Sequence, residues 1–242
     1  MYKILVTNDD GLNAPGLKPL IDELSKIAKV FVSVPKEHMS GTSHGITLSK
    51  FKKAVKIEKN FYAIEGGTPA DSVKYGLIVF AKEKIDLVIS GINTCPNMGQ
   101  DVIYSGTCGA AREGAMKGVP SLAVSAAEMY AKEYSHSARA AREIAVKILK
   151  NKKEYKTVCL NINIPIDYKG IKIVPLGLND YHENVETIVD KKGNFKYKLS
   201  GRYFSGGKNK GSDIAAVEKG YISITPIQID QTDYNLLKKI KI

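Results

Sequence analysis

The chain has 242 residues, 43% of them hydrophobic and 25% charged, which is typical of a globular protein with one sizeable core. Its apolar runs are no longer than a strand and its first residues lack the apolar core of a signal peptide. We therefore expect a cytoplasmic protein with no membrane partner. The net charge of +11 would favour binding of nucleic acid or of small anions. Because the lysines are spread along the chain, nucleic acid is not favoured as the main partner.

Apolar runs alternate with helical patterns over the first 165 residues. Strands are predicted at 2–7, 30–34, 55–57, 61–64, 85–90, 121–125 and 158–162. Helices are predicted over 17–28, from Pro69 with Thr68 as N-cap, over 107–117 and over about 137–149. This alternation is typical of an α/β fold with a doubly wound, mostly parallel sheet covered by helices on both faces.

After Pro165 the pattern becomes β-rich. Residues 183–189 and 195–199 flank a polar turn, which predicts a hairpin, and 221–225 reads as a further strand. We expect a single domain over 1–242, in which approximately 1–165 form the core sheet and 166–242 form a β-rich extension. Because such an arm has a small core of its own, we expect it to pack on a partner subunit.

Polar loops follow the first two predicted strands at their carboxyl ends, where open parallel sheets bind ligands. Asp9 and Asp10 are adjacent, and their charges repel each other unless a cation lies nearby. Oxygen ligands of this kind suit Mg²⁺ or Mn²⁺. The second loop contains Ser40 and enough glycine for backbone N–H groups to approach an anion. His38 and His44 are candidate general bases, although loop histidines are more often surface residues.

Two further loops complete the pattern. Asn93 and Asn97 follow the strand that ends near residue 90 and can offer carbonyl oxygens to a metal and amides to a phosphate. Ser105, Gly106 and Thr107 open a helix, whose free N–H groups and dipole favour a phosphate. Each loop alone also fits an ordinary turn or helix cap, but together they predict a metal–phosphate site. The dinucleotide and P-loop glycine patterns are absent.

These motifs resemble the SurE family, the survival-protein 5′/3′-nucleotidases, in ordered blocks over nearly the whole chain. The blocks are 4–11, 14–16, 40–41, 67–71, 88–93, 104–107, 160–165 and 220–226. The resemblance implies one divalent cation, Mg²⁺ or Mn²⁺, per subunit and a homodimer or tetramer with exchanged C-terminal segments. The implied cation ligands are Asp9, Asp10, Ser40 and Asn93. The implied phosphate-pocket residues are Asn97, Ser105 and Thr107, with Gly106 between them.

The chain departs from the family pattern in several places. Cys95 stands where glycine is usual, Cys108 where valine is more frequent, and Lys36 where an acidic residue is usual. The loop shape near Cys95, and with it the substrate preference, is therefore open. The three cysteines, with Cys159 as the third, form no CxxC pair, so neither a disulfide framework nor a zinc site is expected.

The predicted reaction is hydrolysis of nucleoside 5′-monophosphates, and of 3′-monophosphates by resemblance, to nucleoside and phosphate by metal-activated water. Asp9 and Asp10 are the candidate catalytic residues, and the family pattern favours Asp9 as the group that orients or deprotonates the water. Three alternatives are open. The first is a covalent aspartyl-phosphate, although the phosphatases that form one typically space two aspartates as DxD. The others are a polyphosphate or sugar-phosphate substrate and a non-catalytic nucleotide or RNA sensor.

Overall fold

The computed structural model describes residues 1–178, 180–204 and 209–240, without the side chains of 180–183 and 202–204. The strands are β1 (Tyr2–Thr7), β2 (Ala28–Pro35), β3 (Ala54–Glu58), β4 (Phe61–Ile64), β5 (Leu87–Asn93), β6 (Ser121–Ala126), β7 (Cys159–Ile164), β8 (Ile171–Ile173), β9 (Asp180–Val189), β10 (Phe195–Phe204) and β11 (Ile222–Pro226). The helices are α1 (Leu17–Ser25), α2 (Pro69–Tyr75), α3 (Asp101–Tyr104), α4 (Gly106–Met116), α5 (Ser135–Lys150), α6 (Asp213–Glu218) and α7 (Tyr234–Leu237), and a π-helical turn spans Gly76–Phe80. Within this described part, no helix is long and apolar enough to cross a bilayer.

Nine of the described strands form one sheet in the order β3-β4-β2-β1-β5-β6-β7-β11-β8. The six strands from β4 to β7 run parallel, while β3 and β11 run antiparallel to β4 and β7. The predicted mostly parallel α/β sheet is therefore confirmed. The chain first builds outward from β1 to β2 and β4, and then returns to place β5 on the other side of β1. Ligands bind at such a reversal of strand order, beyond the carboxyl ends of the strands.

Helices cover both faces of the sheet, as the doubly wound prediction requires. Ile4 and Val6 point to the face that carries α1 and α5. Leu5 and Val88 point to the opposite face, where α2 and α4 pack. Because successive side chains of a strand point to opposite faces, the continuous apolar sequence of β1 fills both cores at once.

The chain after Pro165 contributes both to this sheet and to a separate hairpin. Strands β8 and β11 extend the sheet beyond β7, and β9 and β10 form the predicted hairpin, with Val189 opposite Phe195. Several elements were not predicted: β8, α3, α6, α7 and the π-helical turn. They are three to six residues long, which is too short for hydrophobic periodicity to mark them.

The core position of Ile89 in β5 generates a stability prediction. Ile89 is fully buried beneath α1 and α5, so Ile89→Ala should lower the free energy of unfolding by about 2–5 kcal/mol, because it removes packed methylenes and leaves a cavity. Urea denaturation followed by circular dichroism measures the change. The control is Ile78→Ala, since Ile78 is 70% exposed, and the control should stay within about 0.5 kcal/mol of the wild type. Equal losses in both variants would contradict the packing described for β5.

Candidate functional site

The loops after β1, β2 and β5 and the start of α4 meet at the carboxyl edge of the sheet. They surround a cavity of about 360 Å³. Five of the predicted site residues line this cavity: Asp9, Ser40, Asn93, Asn97 and Ser105. They converge because β1 and β5 are direct neighbours in the sheet, which places the ends of both strands beside one another. Asp10, Gly106 and Thr107 lie next to the cavity but do not line it.

Asp9 is held by the first turn of α4. The Thr107 backbone N–H donates to Asp9 Oδ2 at 3.1 Å, and the Thr107 hydroxyl donates to Asp9 Oδ1. A Cβ on Gly106 would lie 2.9 Å from Asp9 Cβ and 3.0 Å from Asp9 Oδ2, so the helix approaches this closely because the residue is glycine. The start of α4 therefore orients the Asp9 carboxylate, which is only 3% exposed.

The two adjacent carboxyl groups have raised pKa values. Burial raises the pKa of Asp9 to about 6, the nearby charge of Asp10 adds to the rise, and the hydrogen bonds from Thr107 oppose it. Burial also raises the pKa of Asp10, against the opposing effect of the Thr94 N–H, which donates to Asp10 Oδ2 at 3.1 Å. His38 Nδ1 lies 3.4 Å from Asp10 Oδ1. A cation at this point would favour the ionised form of both carboxyl groups.

The donor atoms around the cavity fit a hard divalent cation. Among the residues that the structure describes, no three His, Cys, Asp or Glu side chains cluster as a metal site, so a cation here would depend on the two aspartates and on neutral oxygens. Ser40 supplies an exposed hydroxyl. The Asn93 amide nitrogen donates to the Cys95 carbonyl at 2.7 Å, which leaves the Asn93 side-chain oxygen for a ligand. Such an all-oxygen set is the kind that Mg²⁺ and Mn²⁺ prefer.

Ser105 lines the cavity as the N-cap of α4. Its hydroxyl oxygen accepts from the Cys108 backbone N–H at 3.1 Å. A hydroxyl that accepts one hydrogen bond keeps its own proton for a second partner. Ser105 can therefore cap the helix and donate to an anion in the cavity at the same time.

Asn97 is held in place by residues of β6 and β7. Its side-chain amide donates to Ser125 Oγ at 2.9 Å, and its backbone N–H donates to Asn163 Oδ1 at 2.8 Å. The Asn97 carbonyl accepts from Asn161 Nδ2 at 2.7 Å and from Asn163 Nδ2 at 3.0 Å. Asn161 and Asn163 are functional candidates that the sequence analysis missed. Two asparagines at alternate positions of a buried strand are a signal that could have found them.

The remaining cavity wall contains residues not predicted as site residues: Gly41, Cys95, Pro96, Met98, Asp101, Tyr104 and Met129. Tyr104 and Met129 are both 67% exposed and give the cavity an apolar rim. His44 turns away from this site, since its Nε2 lies 3.1 Å from Glu113 Oε2. All three cysteines are free, as expected.

Known proteins share this architecture and sequence. The family model described as survival protein SurE matches residues 4–183. The chain is 43% identical to the 5′-nucleotidase SurE of Syntrophomonas wolfei, over 99% of this chain and 93% of that protein, and 41% identical to that of Campylobacter jejuni, over 100% and 97%. The crystal structure of the SurE protein from Aquifex aeolicus has a TM-score of 0.87 and 37% identity, covering 99% of this chain and 98% of that one. The chain therefore belongs to the SurE family.

Proposed function

We propose that this protein is a metal-dependent phosphomonoesterase that hydrolyses nucleoside 5′-monophosphates, and also 3′-monophosphates, to nucleoside and phosphate. Its relatives that are named 5′-nucleotidase support the nucleotidase activity. The observation that carries the proposal is the convergence, around one cavity, of a buried carboxylate with neutral side-chain oxygens and with side chains that can donate hydrogen bonds. The cytoplasmic location stays a prediction.

The chain's own residues have two kinds of role at the cavity. Asp9 and Asp10, with Ser40 and Asn93, would hold the cation, and Asp9 would orient the attacking water and accept its proton. The cation, when bound, supplies Lewis acidity that polarises a phosphoryl oxygen and makes water more acidic.

The Ser105 hydroxyl and the Asn97 side-chain amide belong to residues that line the same cavity. Both groups can donate hydrogen bonds to equatorial phosphoryl oxygens, on which negative charge is spread in the transition state. Their supports are rigid, because Ser105 begins a helix and Asn97 is bonded to two strands. The donors are thus preorganised before substrate arrives.

The carboxylate of Asp9 gives the first test of this proposal. Asp9→Asn should lower kcat/KM for nucleoside monophosphates by on the order of 10²-fold or more, because it removes a charged ligand and the proton acceptor. Phosphate release is measured from a panel of 5′- and 3′-nucleoside monophosphates, sugar phosphates and polyphosphate, with Mg²⁺, with Mn²⁺ and with excess chelator. Asp22→Asn, on the exposed face of α1, is the control and should keep full activity. Undiminished activity in chelator, or in the Asp9 variant, would overturn the proposal.

Ser105 gives a second test, directed at the proposed binding of phosphate. Ser105→Ala should lower kcat/KM by about 10²-fold, because one donor to the transition-state charge is lost. It also removes the N-cap of α4, which costs about 1 kcal/mol of stability. Thr68→Ala is the matched control, since Thr68 caps α2 in the same way away from the cavity. The control should lose similar stability in urea denaturation and stay within about twofold of wild-type kinetics. Similar kinetic losses in both variants would assign the effect to stability alone.

We also propose that the protein is a homodimer or tetramer in which a second copy covers the β9–β10 hairpin. On one face of this hairpin, Phe195, Tyr197 and Leu199 lie beside Val185 and Val189. All five side chains are more than half exposed. An isolated two-stranded hairpin is marginally stable in water, so an apolar face of this kind is stabilised when a partner covers it.

A charge placed on this apolar face should break the assembly. Tyr197→Glu should shift the protein to monomers in sedimentation velocity, because a carboxylate would be buried without a partner. Lys196→Glu is the control, since Lys196 lies on the opposite face of the same strand, and it should leave the wild-type mass unchanged. A wild-type protein that sediments as a monomer would refute the proposal.

A further inference from the structure

Asp213 connects three segments of the chain through one fully buried carboxylate. Its Oδ2 accepts from the Gly99 backbone N–H at 2.9 Å. Its Oδ1 accepts from the Gly177 N–H at 2.7 Å and from the Ile214 N–H at 2.8 Å. The carboxylate therefore joins the end of the cavity loop, the chain that leads into β9 and the start of α6.

The cavity loop that Asp213 reaches has little regular structure of its own. Residues 95–98 line the cavity directly, and Gly99 follows them with a φ of +54°. The loop's backbone groups bond instead to side chains from distant segments: Asn163 and Asn161 at Asn97, and Asp213 at Gly99. The shape of the loop thus depends on side chains behind it.

Asp213 belongs to the foot of the β9–β10 hairpin, by which we mean residues 177–178 before β9 and residues 209–214 after β10. Asn209 closes this foot, because its side-chain oxygen accepts from the Leu178 N–H at 2.8 Å and its side-chain nitrogen donates to the Leu178 carbonyl at 3.1 Å. A Cβ on Gly177 would lie 2.7 Å from Asn209 Oδ1 and 2.9 Å from Ser212 Oγ. The foot is closely packed, so it offers Asp213 a rigid base.

We propose that Asp213 is a positioning residue for the proposed phosphomonoesterase reaction: its carboxylate holds Gly99 and thereby sets where residues 95–98 meet the substrate phosphate. The inference rests on the proposed function, since the loop acts on a phosphate only if the cavity binds one. A displacement of about 1 Å in a loop that orients a reacting group can cost on the order of 10²-fold in rate.

The carboxylate is the group best suited to this task. Burial raises the pKa of Asp213, and its backbone hydrogen bonds, including those from Gly99 and Gly177, oppose the rise. A buried group that satisfies three amide donors cannot be replaced by an apolar one without leaving those donors unpaired. Asn is isosteric but has one oxygen. If that oxygen keeps the two bonds to Gly177 and Ile214, the amide nitrogen faces the Gly99 N–H, and two donors then oppose each other.

Asp213→Asn therefore releases Gly99 selectively and leaves the hairpin foot bonded. We expect kcat/KM for nucleoside monophosphates to fall about 10- to 100-fold, the usual range for residues that orient others. We also expect the inhibition constant of inorganic phosphate to rise, and amide hydrogen exchange to accelerate in a peptide covering 93–100. The exchange measurement needs no turnover.

Ser33→Ala is the control. It removes a buried hydrogen bond, from the Ser33 hydroxyl to the Ser72 carbonyl at 2.7 Å, that lies between β2 and α2, and it leaves the bond from Gly99 to Asp213 in place. It should lower the melting temperature, while kcat/KM and the exchange of 93–100 stay within about twofold of wild type. An equal kinetic loss in this control would show general destabilisation and overturn the positioning role.

The inference can also be tested when Asp213→Asn does not fold or when the wild-type protein releases no phosphate. If Asp213→Asn does not fold, Asp213→Glu takes its place, because it keeps the charge but moves the carboxylate by one methylene and should displace Gly99. Kinetics and exchange that match wild type in the folded variant would refute the inference. If the wild-type protein itself releases no phosphate from any nucleoside monophosphate, the proposed function fails, and hydrogen exchange still tests whether Asp213 holds the loop.

Discussion

A carboxylate at the buried end of a central strand is the constraint on which this site depends. Asp9 lies two residues beyond the end of β1, at the point where the strand order reverses, and its burial there removes most of the solvation of its carboxylate. The first turn of α4 supplies two hydrogen bonds to it. The loop after β1 and the start of α4, whose bonded residues are 98 positions apart in sequence, are therefore joined beside the cavity.

The same cavity combines two kinds of chemistry. The aspartates contribute negative charge, and the side chains of Ser105 and Asn97 contribute hydrogen-bond donors. A phosphate needs both, because its oxygens are repelled by carboxylates unless a cation lies between them. The net charge of +11 adds a long-range field that attracts anions to the protein as a whole.

Rigid elements hold most of this site, but the loop after β5 is held by side chains. Asn97 receives its support from β7, and Gly99 receives it from Asp213 at the foot of the hairpin. Segments that come after residue 158 in the chain thus support a cavity whose lining residues, apart from Met129, all come before residue 108. The C-terminal part of the chain therefore supports the cavity loop within the molecule, in addition to the proposed contact of its hairpin with a second copy.

Local patterns were enough to determine the strands of the core, the helix that Thr68 caps, the hairpin and the polar residues at the strand ends, because periodicity and capping act over a few residues. Only the tertiary structure decided that Thr107 bonds to Asp9, that His44 pairs with Glu113 away from the cavity, and that Asn163 and Asp213 support the loop. These partners lie tens of residues apart, and a hydrogen bond between them depends on how whole elements pack, which no short stretch of sequence specifies.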